Sequence, residues 1–207
     1  MVEKTSLESL ELQDSLYGER NKQPILDILQ EYLQADTDVL EIGSGTGQHA
    51  VFFSRQLASI HWQMTEMAEN LEVLKARHLQ QGNERMPEPC AIDSRDSSWD
   101  LPRHYDAAFS ANTAHIMSWQ GVCGLLHGVG KALKPGGLFL LYGPFRYHGE
   151  DTSPSNSDFH RLLKSRSPEM GIRDYYELEA LAAMAGLCLW KDMPMPANNR
   201  ILIFKNG

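Results

Sequence analysis

The residues best suited to chemistry are Glu41-Ile42-Gly43-Ser44-Gly45-Thr46-Gly47-Gln48-His49, preceded by Val39-Leu40 and followed by Ala50-Val51-Phe52-Phe53. Residues 39–42 read as a buried strand, the alternate glycines as a turn, and the residues after them as an amphipathic helix. Glycine is required where the chain reverses tightly and where a ligand approaches backbone that a Cβ would block. The unpaired N–H groups that open the helix face whatever lies over the turn, which suits a nucleotide. A dinucleotide fingerprint places its third glycine five residues after the first. Here that position is Gln48, Gly47 comes one residue sooner, and the acid Glu41 lies two residues before Gly43. A glycine turn with no ligand is the structural alternative.

Further polar residues fall where strands should end. Residues 60–66 form a second strand closing on Glu66, 23 residues after Gly43, near the separation at which a strand-end carboxylate accepts from both ribose hydroxyls. Glu69 competes for that role, and a solvated acid at a strand end is the alternative. A third strand over residues 90–93 ends on Asp93, placed to accept from an adenine amine or to cap a loop. A fourth, over residues 105–110, runs into Ala111-Asn112-Thr113-Ala114-His115. His115 is a candidate base or substrate contact, with a satisfied structural histidine as the alternative.

The elements that must position these groups alternate. Ile25, Ile28, Leu29, Tyr32 and Leu33 recur at helical spacing, Pro24 suits a first helical turn, and Arg20 and Asn21 stand just before it. Helices follow to about Leu57, over 70–81 with Gly82 as the stop, and over 119–133, where Lys134-Pro135-Gly136-Gly137 leads into a fifth strand at 138–142. Residues 143–173, rich in Pro, Ser, Asp and Asn, form an insertion with a short helix at about 157–164; loops of such length are usually lids or substrate walls. Asp174 caps a helix through Ala185, and strands at 187–191 and 201–204 flank Met195-Pro196-Ala197-Asn198-Asn199. This order predicts an α/β chain with an open, mostly parallel sheet and helices on both faces. Residues 1–18, with Leu7, Leu10, Leu12 and Leu16 among acids, form an N-terminal arm, and 19–207 a single domain.

Composition removes other classes. A net charge of −8 over 207 residues argues against a nucleic-acid partner, which needs clustered Lys and Arg. Cys90, Cys123 and Cys188 are too far apart for a Cys-x-x-Cys pair and read as reduced core residues of a cytoplasmic protein; the histidines show no metal-ligand spacing, so no metal is expected. The polar, acidic N-terminus and the short apolar runs indicate no signal peptide and no membrane span. Oligomeric state is not legible.

The acidic-x-Gly-x-Gly-x-Gly pattern resembles the first motif of class I S-adenosylmethionine (SAM) dependent methyltransferases. Glu-Arg-Asn-Lys-x-Pro-Ile-Leu at 19–26, Gly-Ser-Gly-Thr-Gly-Gln-His at 43–49, Ala-Asn at 111–112, Tyr-Gly-Pro-Phe at 142–145, Pro-Ser-Asn at 154–156 and Met-Pro-Ala-Asn-Asn at 195–199 together resemble a small methyltransferase-like family known as a domain of unknown function. That family's second strand often ends Ser-Asp, where this chain has Thr65-Glu66. The resemblance implies a Rossmann-like, seven-stranded sheet with an antiparallel last strand, and SAM as cofactor. It implies cofactor contacts from Arg20, Asn21, Glu41, Gly43, Ser44, Gly45, Gly47, Glu66, Asp93 and Asn112, the last beside the methionine half of SAM. Arg20 could hold the methionine carboxylate or an anionic group on the acceptor. Catalytic candidates are His115 and Tyr142. Because the last strand begins at the carboxyl edge of the sheet, the acceptor side is expected to draw on Tyr142, Phe145, Arg146, Asn198 and Asn199, although the asparagine pair could merely shape a turn. The resemblance implies no substrate; the expected reaction is SAM-dependent methyl transfer to an unknown acceptor, read as small and polar. A SAM-binding regulatory or scaffold protein without turnover is the alternative, and a nicotinamide-dependent oxidoreductase a more distant one.

Overall fold

A computed structural model of the chain describes Leu7, Leu10 and residues 12–207; the rest of the expected arm lies outside the described residues. Helix α1 (Leu16–Tyr32) opens where Ser15 accepts from the Tyr17 N–H, so the arm gives way to helix earlier than its composition suggests. Pro24 lies well inside α1, not in its first turn. The Ser15 cap marks the helix start, and Pro24 costs the helix both a backbone donor and a close approach of its ring to the carbonyl one turn earlier.

The contacts divide the chain into two units, residues 1–93 and 94–207. In the first unit, α1 is followed by β1 (Asp38–Ile42), α2 (Gln48–Gln56), β2 (His61–Glu66), α3 (Leu71–Gln81) and β3 (Cys90–Ala91). β1 pairs with β2 in parallel, Val39 opposite Trp62 and Ile42 opposite Thr65, and β2 pairs in parallel with β3. Leu40, Trp62 and Met64 are fully buried, as strands covered on both faces require.

The second unit contains β4 (Tyr105–Ala111), α4 (Trp119–Ala132), β5 (Leu133–Gly143), β6 (Phe145–Tyr147), β7 (Glu150–Asp151), α5 (Pro154–Arg166), β8 (Arg173–Asp174), α6 (Tyr175–Met184), β9 (Leu187–Met195) and β10 (Asn199–Asn206). β4 and β5 are parallel; β10 runs antiparallel to both β5 and β9. The seven-stranded sheet has the order β3-β2-β1-β4-β5-β10-β9, which is the Rossmann-like arrangement with the antiparallel last strand expected from the sequence. The insertion differs. It carries a second, three-stranded sheet ordered β7-β6-β8, and α5 is longer than expected because Ser153 caps it, accepting from the Asn156 N–H. Strands as short as β7 and β8, two residues each, leave no periodicity to read.

Cys90 and Cys123 are half-buried, but Cys188 is exposed. It lies on β9, the edge strand, where alternate side chains face outward, so it is not the core residue expected. Among the described residues, no helix is long and apolar enough to cross a membrane, and no group of three or more His, Cys, Asp or Glu is placed to hold a metal ion.

Ser118 caps α4 by accepting from the Gly121 N–H, and Val122, Leu125, Leu126 and Val129 of its inner face are fully buried. The helix also carries a close approach: a Cβ on Gly124 would stand 1.7 Å from the Ser94 carbonyl oxygen. Gly124→Ala should therefore destabilise the protein by about 2 kcal/mol or more in urea unfolding, although alanine is the better helix former by about 1 kcal/mol. A stabilised variant would contradict this packing.

Candidate functional site

The loop between β1 and α2 uses left-handed backbone at each glycine, with φ of 71° at Gly43, 57° at Gly45 and 75° at Gly47. The three glycines then diverge in role. A Cβ on Gly47 would stand 2.9 Å from both Arg77 Cγ and Leu74 Cδ1, whereas one on Gly45 would meet nothing within 4 Å. Gly47 is thus pressed against α3, and Gly45 faces open space.

Beneath the turn the polar groups are occupied with one another. Glu41 is only 2% exposed, and its Oε2 accepts from Ser44 Oγ at 2.8 Å and from Trp62 Nε1 at 3.0 Å. Ser44 Oγ accepts in turn from the Thr65 N–H at 3.2 Å, and Thr65 Oγ1 donates to the Glu41 carbonyl at 2.7 Å. The motif acid and its serine therefore point inward and hold the turn against β2, a different task from the ligand contact expected of them. Burial raises the Glu41 pKa to about 7, with Glu66 adding to the rise and the two donors opposing it.

Glu66, at the end of β2, reaches the turn directly. Its Oε2 accepts from the Gly45 N–H at 2.8 Å and its Oε1 from the Met67 N–H at 2.9 Å. Each oxygen keeps a second lone pair. Its competitor Glu69 is exposed on the short 3-10 turn Ala68–Asn70. Asp93 is half-buried two residues beyond β3.

The helix before the sheet is clasped by the turn. Gln48 Oε1 accepts from the Ser15 N–H at 2.8 Å, and Gln48 Nε2 donates to Glu19 Oε1 at 2.6 Å. His49 Nε2 lies 2.7 Å from Asn21 Oδ1, and burial lowers the His49 pKa to about 4. Asn21 is thereby engaged with the protein, while Arg20 beside it is exposed. Arg77 of α3, 3% exposed, donates from Nε to the Thr46 carbonyl at 2.9 Å and forms an ion pair with Asp14. No sequence signal marked Arg77 or Trp62, since a lone residue of a helix or strand has no spacing to betray it.

In the second unit, the carboxyl ends of β4 and β5 lie side by side. Asn112 has φ of 60°, and its N–H donates to the Tyr142 carbonyl at 2.9 Å. His115 is buried, its ring edge-on to Phe159 at 5.2 Å; burial, with Arg173 adding to it, lowers its pKa to about 4. Tyr142 is buried, and Phe145, 1% exposed, belongs to the core, so Phe145 offers no surface to an acceptor. Arg146 Nε lies 2.9 Å from Asp151 Oδ1, and its guanidinium also donates to the Gly149 carbonyl.

Asn199 follows the turn-shaping alternative, its Nδ2 donating to the Pro196 carbonyl at 3.2 Å. Arg200, next along β10, pairs with Gly143, so the start of β10 does reach the carboxyl end of β5. Asn198, with φ of 58°, presents its carbonyl to Asn156 Nδ2 at 3.1 Å. Asn156 and the buried Arg173 had no role assigned from sequence.

A family profile described as "Protein of unknown function (DUF938)" matches residues 14–206. The chain belongs to this family. The DUF938 chain is also similar in fold to solved methyltransferases. Human N-acetylserotonin methyltransferase, in complex with SAM, superposes with a TM-score of 0.77 at 15% identity, over 99% of this chain and 55% of the other. The SAM-dependent methyltransferase SibL gives 0.75 at 20% identity, over 92% and 55%, and an O-methyltransferase family protein from Burkholderia thailandensis 0.75 at 15%, over 92% and 57%. The DUF938 chain thus spans little more than half the length of each, and at such identities the likeness is one of fold.

The raised pKa of Glu41 makes a signed prediction. A carboxyl whose pKa rises on folding stabilises the protein fully below its unfolded value of 4.5, and this contribution is lost as pH rises through about 7. His49 and His115, both lowered, act with the opposite sign as pH falls below 6.5, so a difference measurement is needed. Between pH 5 and pH 8 the wild type should lose about 2–3 kcal/mol of unfolding free energy relative to Glu41→Gln. Parallel pH–stability curves would show that Glu41 ionises normally.

Proposed function

We propose that this DUF938 protein binds SAM at the turn between β1 and α2 and transfers its methyl group to a small polar acceptor. The observation that carries the reading is Gly45: a left-handed glycine with open space where a Cβ would stand, its N–H already aligned on the carboxylate of Glu66. The fold it sits in is that of SAM-dependent methyltransferases.

The residues present fit the cofactor. The turn leaves room for a ligand at Gly45, and the spare lone pairs of Glu66 can accept from both ribose hydroxyls. Asp93 is the acceptor for the adenine amine, and Arg20, exposed and cationic, the partner for the methionine carboxylate. Glu41, Ser44 and Asn21 support these groups from behind. When bound, SAM supplies a sulfonium-activated methyl group, which asks the protein chiefly for alignment and exclusion of water.

On the acceptor side, His115 stays neutral at physiological pH and can accept a hydrogen bond from a hydroxyl or amine without holding its proton. Arg146 and Asn198 complete a polar acceptor edge, from which Tyr142 and Phe145, both buried, drop out. A regulatory SAM-binding role without turnover would share every cofactor contact and differ only in lacking a methylated product.

Calorimetric titration tests the cofactor assignment. SAM or its demethylated product should bind more tightly than NAD, and Gly45→Val should abolish binding while circular dichroism shows a folded chain. Glu66→Ala should weaken SAM binding about tenfold to a thousandfold, the worth of charge-assisted hydrogen bonds to ribose. Binding of NAD without SAM would overturn the reading, and unchanged affinity in Glu66→Ala would move the ribose contact to Glu69 or the backbone.

A further inference from the structure

The second unit contains a cavity of about 430 Å³ whose walls include Arg146, His160, Lys164, Arg173, Asp174 and Glu177, a volume within the range of small-molecule sites. It is built by β6, β8, α5 and the first turn of α6. Apart from Arg146, its polar groups have no part in the methyl-transfer reading.

Most of that polarity is internally satisfied. Arg146 is paired with Asp151. Asp174 gives one carboxylate oxygen to the Gly149 N–H at 2.7 Å and the other to the Tyr176 N–H at 2.9 Å. Arg173 is the exception. Its side chain is buried, with 9% of the residue exposed, and its donors reach only carbonyls: Nε to Ala114 at 2.9 Å, and Nη2 to Met117 and to Glu169, the last at 2.8 Å. Among the described residues no carboxylate forms an ion pair with it. The Trp119 ring, 5.8 Å from its guanidinium carbon, is a weak substitute. A buried cation without a directly bonded carboxylate is costly; burial lowers its pKa, with the charges of Glu169 and Glu177 opposing from beyond ion-pair distance.

The two N–H groups of Arg173 Nη1 make no hydrogen bond among the described residues, and this atom is not among those sealed from solvent without a partner. Two further donors stand on the same cavity wall. His160 Nδ1 accepts from the Ile172 N–H at 3.1 Å. Burial, and then Arg146, lower its pKa, and with Nδ1 accepting, the proton of the imidazole ring lies on Nε2. Lys164 Nζ spends one of its three N–H groups on the Pro168 carbonyl at 2.9 Å.

We propose that this cavity binds a small organic anion, whose carboxylate or phosphate group accepts from Arg173 Nη1, His160 Nε2 and Lys164 Nζ and gives Arg173 the directly bonded anion that Glu169 and Glu177 do not provide. Arg173 also holds the carbonyls of Ala114 and Met117, on either side of His115. An anion on Arg173 therefore stiffens the segment that follows β4.

The test is a titration of the full chain, with no methyl donor present, by inorganic phosphate and separately by malonate, followed by calorimetry and by the imidazole NMR signals. At least one anion should bind saturably and shift the His160 resonance; which of the two binds identifies a phosphate or a carboxylate site. Lys164→Ala and His160→Gln should each weaken binding about tenfold or more, and Arg173→Lys, which keeps the charge but loses the fork, should weaken it at least as much. If Arg173→Lys does not fold, the other two variants decide. Absence of saturable binding by both anions, or unchanged affinity in both Lys164→Ala and His160→Gln, overturns the proposal. Since no SAM is present, either result is independent of the cofactor assignment.

Discussion

A carboxylate that is 2% exposed must find donors or give up its charge, and Glu41 does some of each. Its hydrogen bonds to Ser44 and Trp62, with Thr65 closing the ring back to Ser44 and to the Glu41 carbonyl, join the end of β1, the turn and the end of β2 into one network. A buried network of this kind is stabilising only when each member is satisfied, and here each is. Its consequence lies above it: with the turn fixed from below, Gly45 can face open space with its N–H on Glu66 without the loop collapsing into that space.

The segments that stand out in the sequence are largely engaged with one another. Gln48 and His49, at the start of α2, bind Ser15, Glu19 and Asn21, so the turn and α1 hold each other in place. In the second unit Asn156 of α5 binds the Asn198 carbonyl, tying the insertion to the start of β10. Short polar motifs of this sort are usually read as ligand contacts. Here many are clamps that orient groups left open among the described residues, such as Arg20 and the second lone pairs of Glu66.

What was legible in the sequence followed periodicity and backbone requirement. The strand–glycine–helix unit was readable because glycine takes left-handed backbone most readily and here stands at three alternate positions that require it, and the alternation of apolar runs with helical spacing gave the sheet its class. The antiparallel β10 came from family resemblance, not from any residue of the strand itself. The direction of a side chain was not readable: Glu41 and Ser44 turn inward, and Phe145 enters the core, because neighbours distant in sequence decide which way each faces. Pro24 misled because Ser15 provided a better cap upstream. Arg77 and Arg173 were invisible because a single arginine announces neither its burial nor the carbonyls it will serve.

The central proposal is that the DUF938 chain transfers the methyl group of SAM and does not merely bind a nucleoside. The most direct measurement is incubation of the protein with SAM carrying an isotopically labelled methyl group and a small-molecule extract of cells, followed by mass spectrometry of both. A polar compound should acquire the label only with active protein, accompanied by stoichiometric formation of S-adenosylhomocysteine. SAM that binds but remains unconsumed, with no labelled product across extracts of varied source, would contradict it.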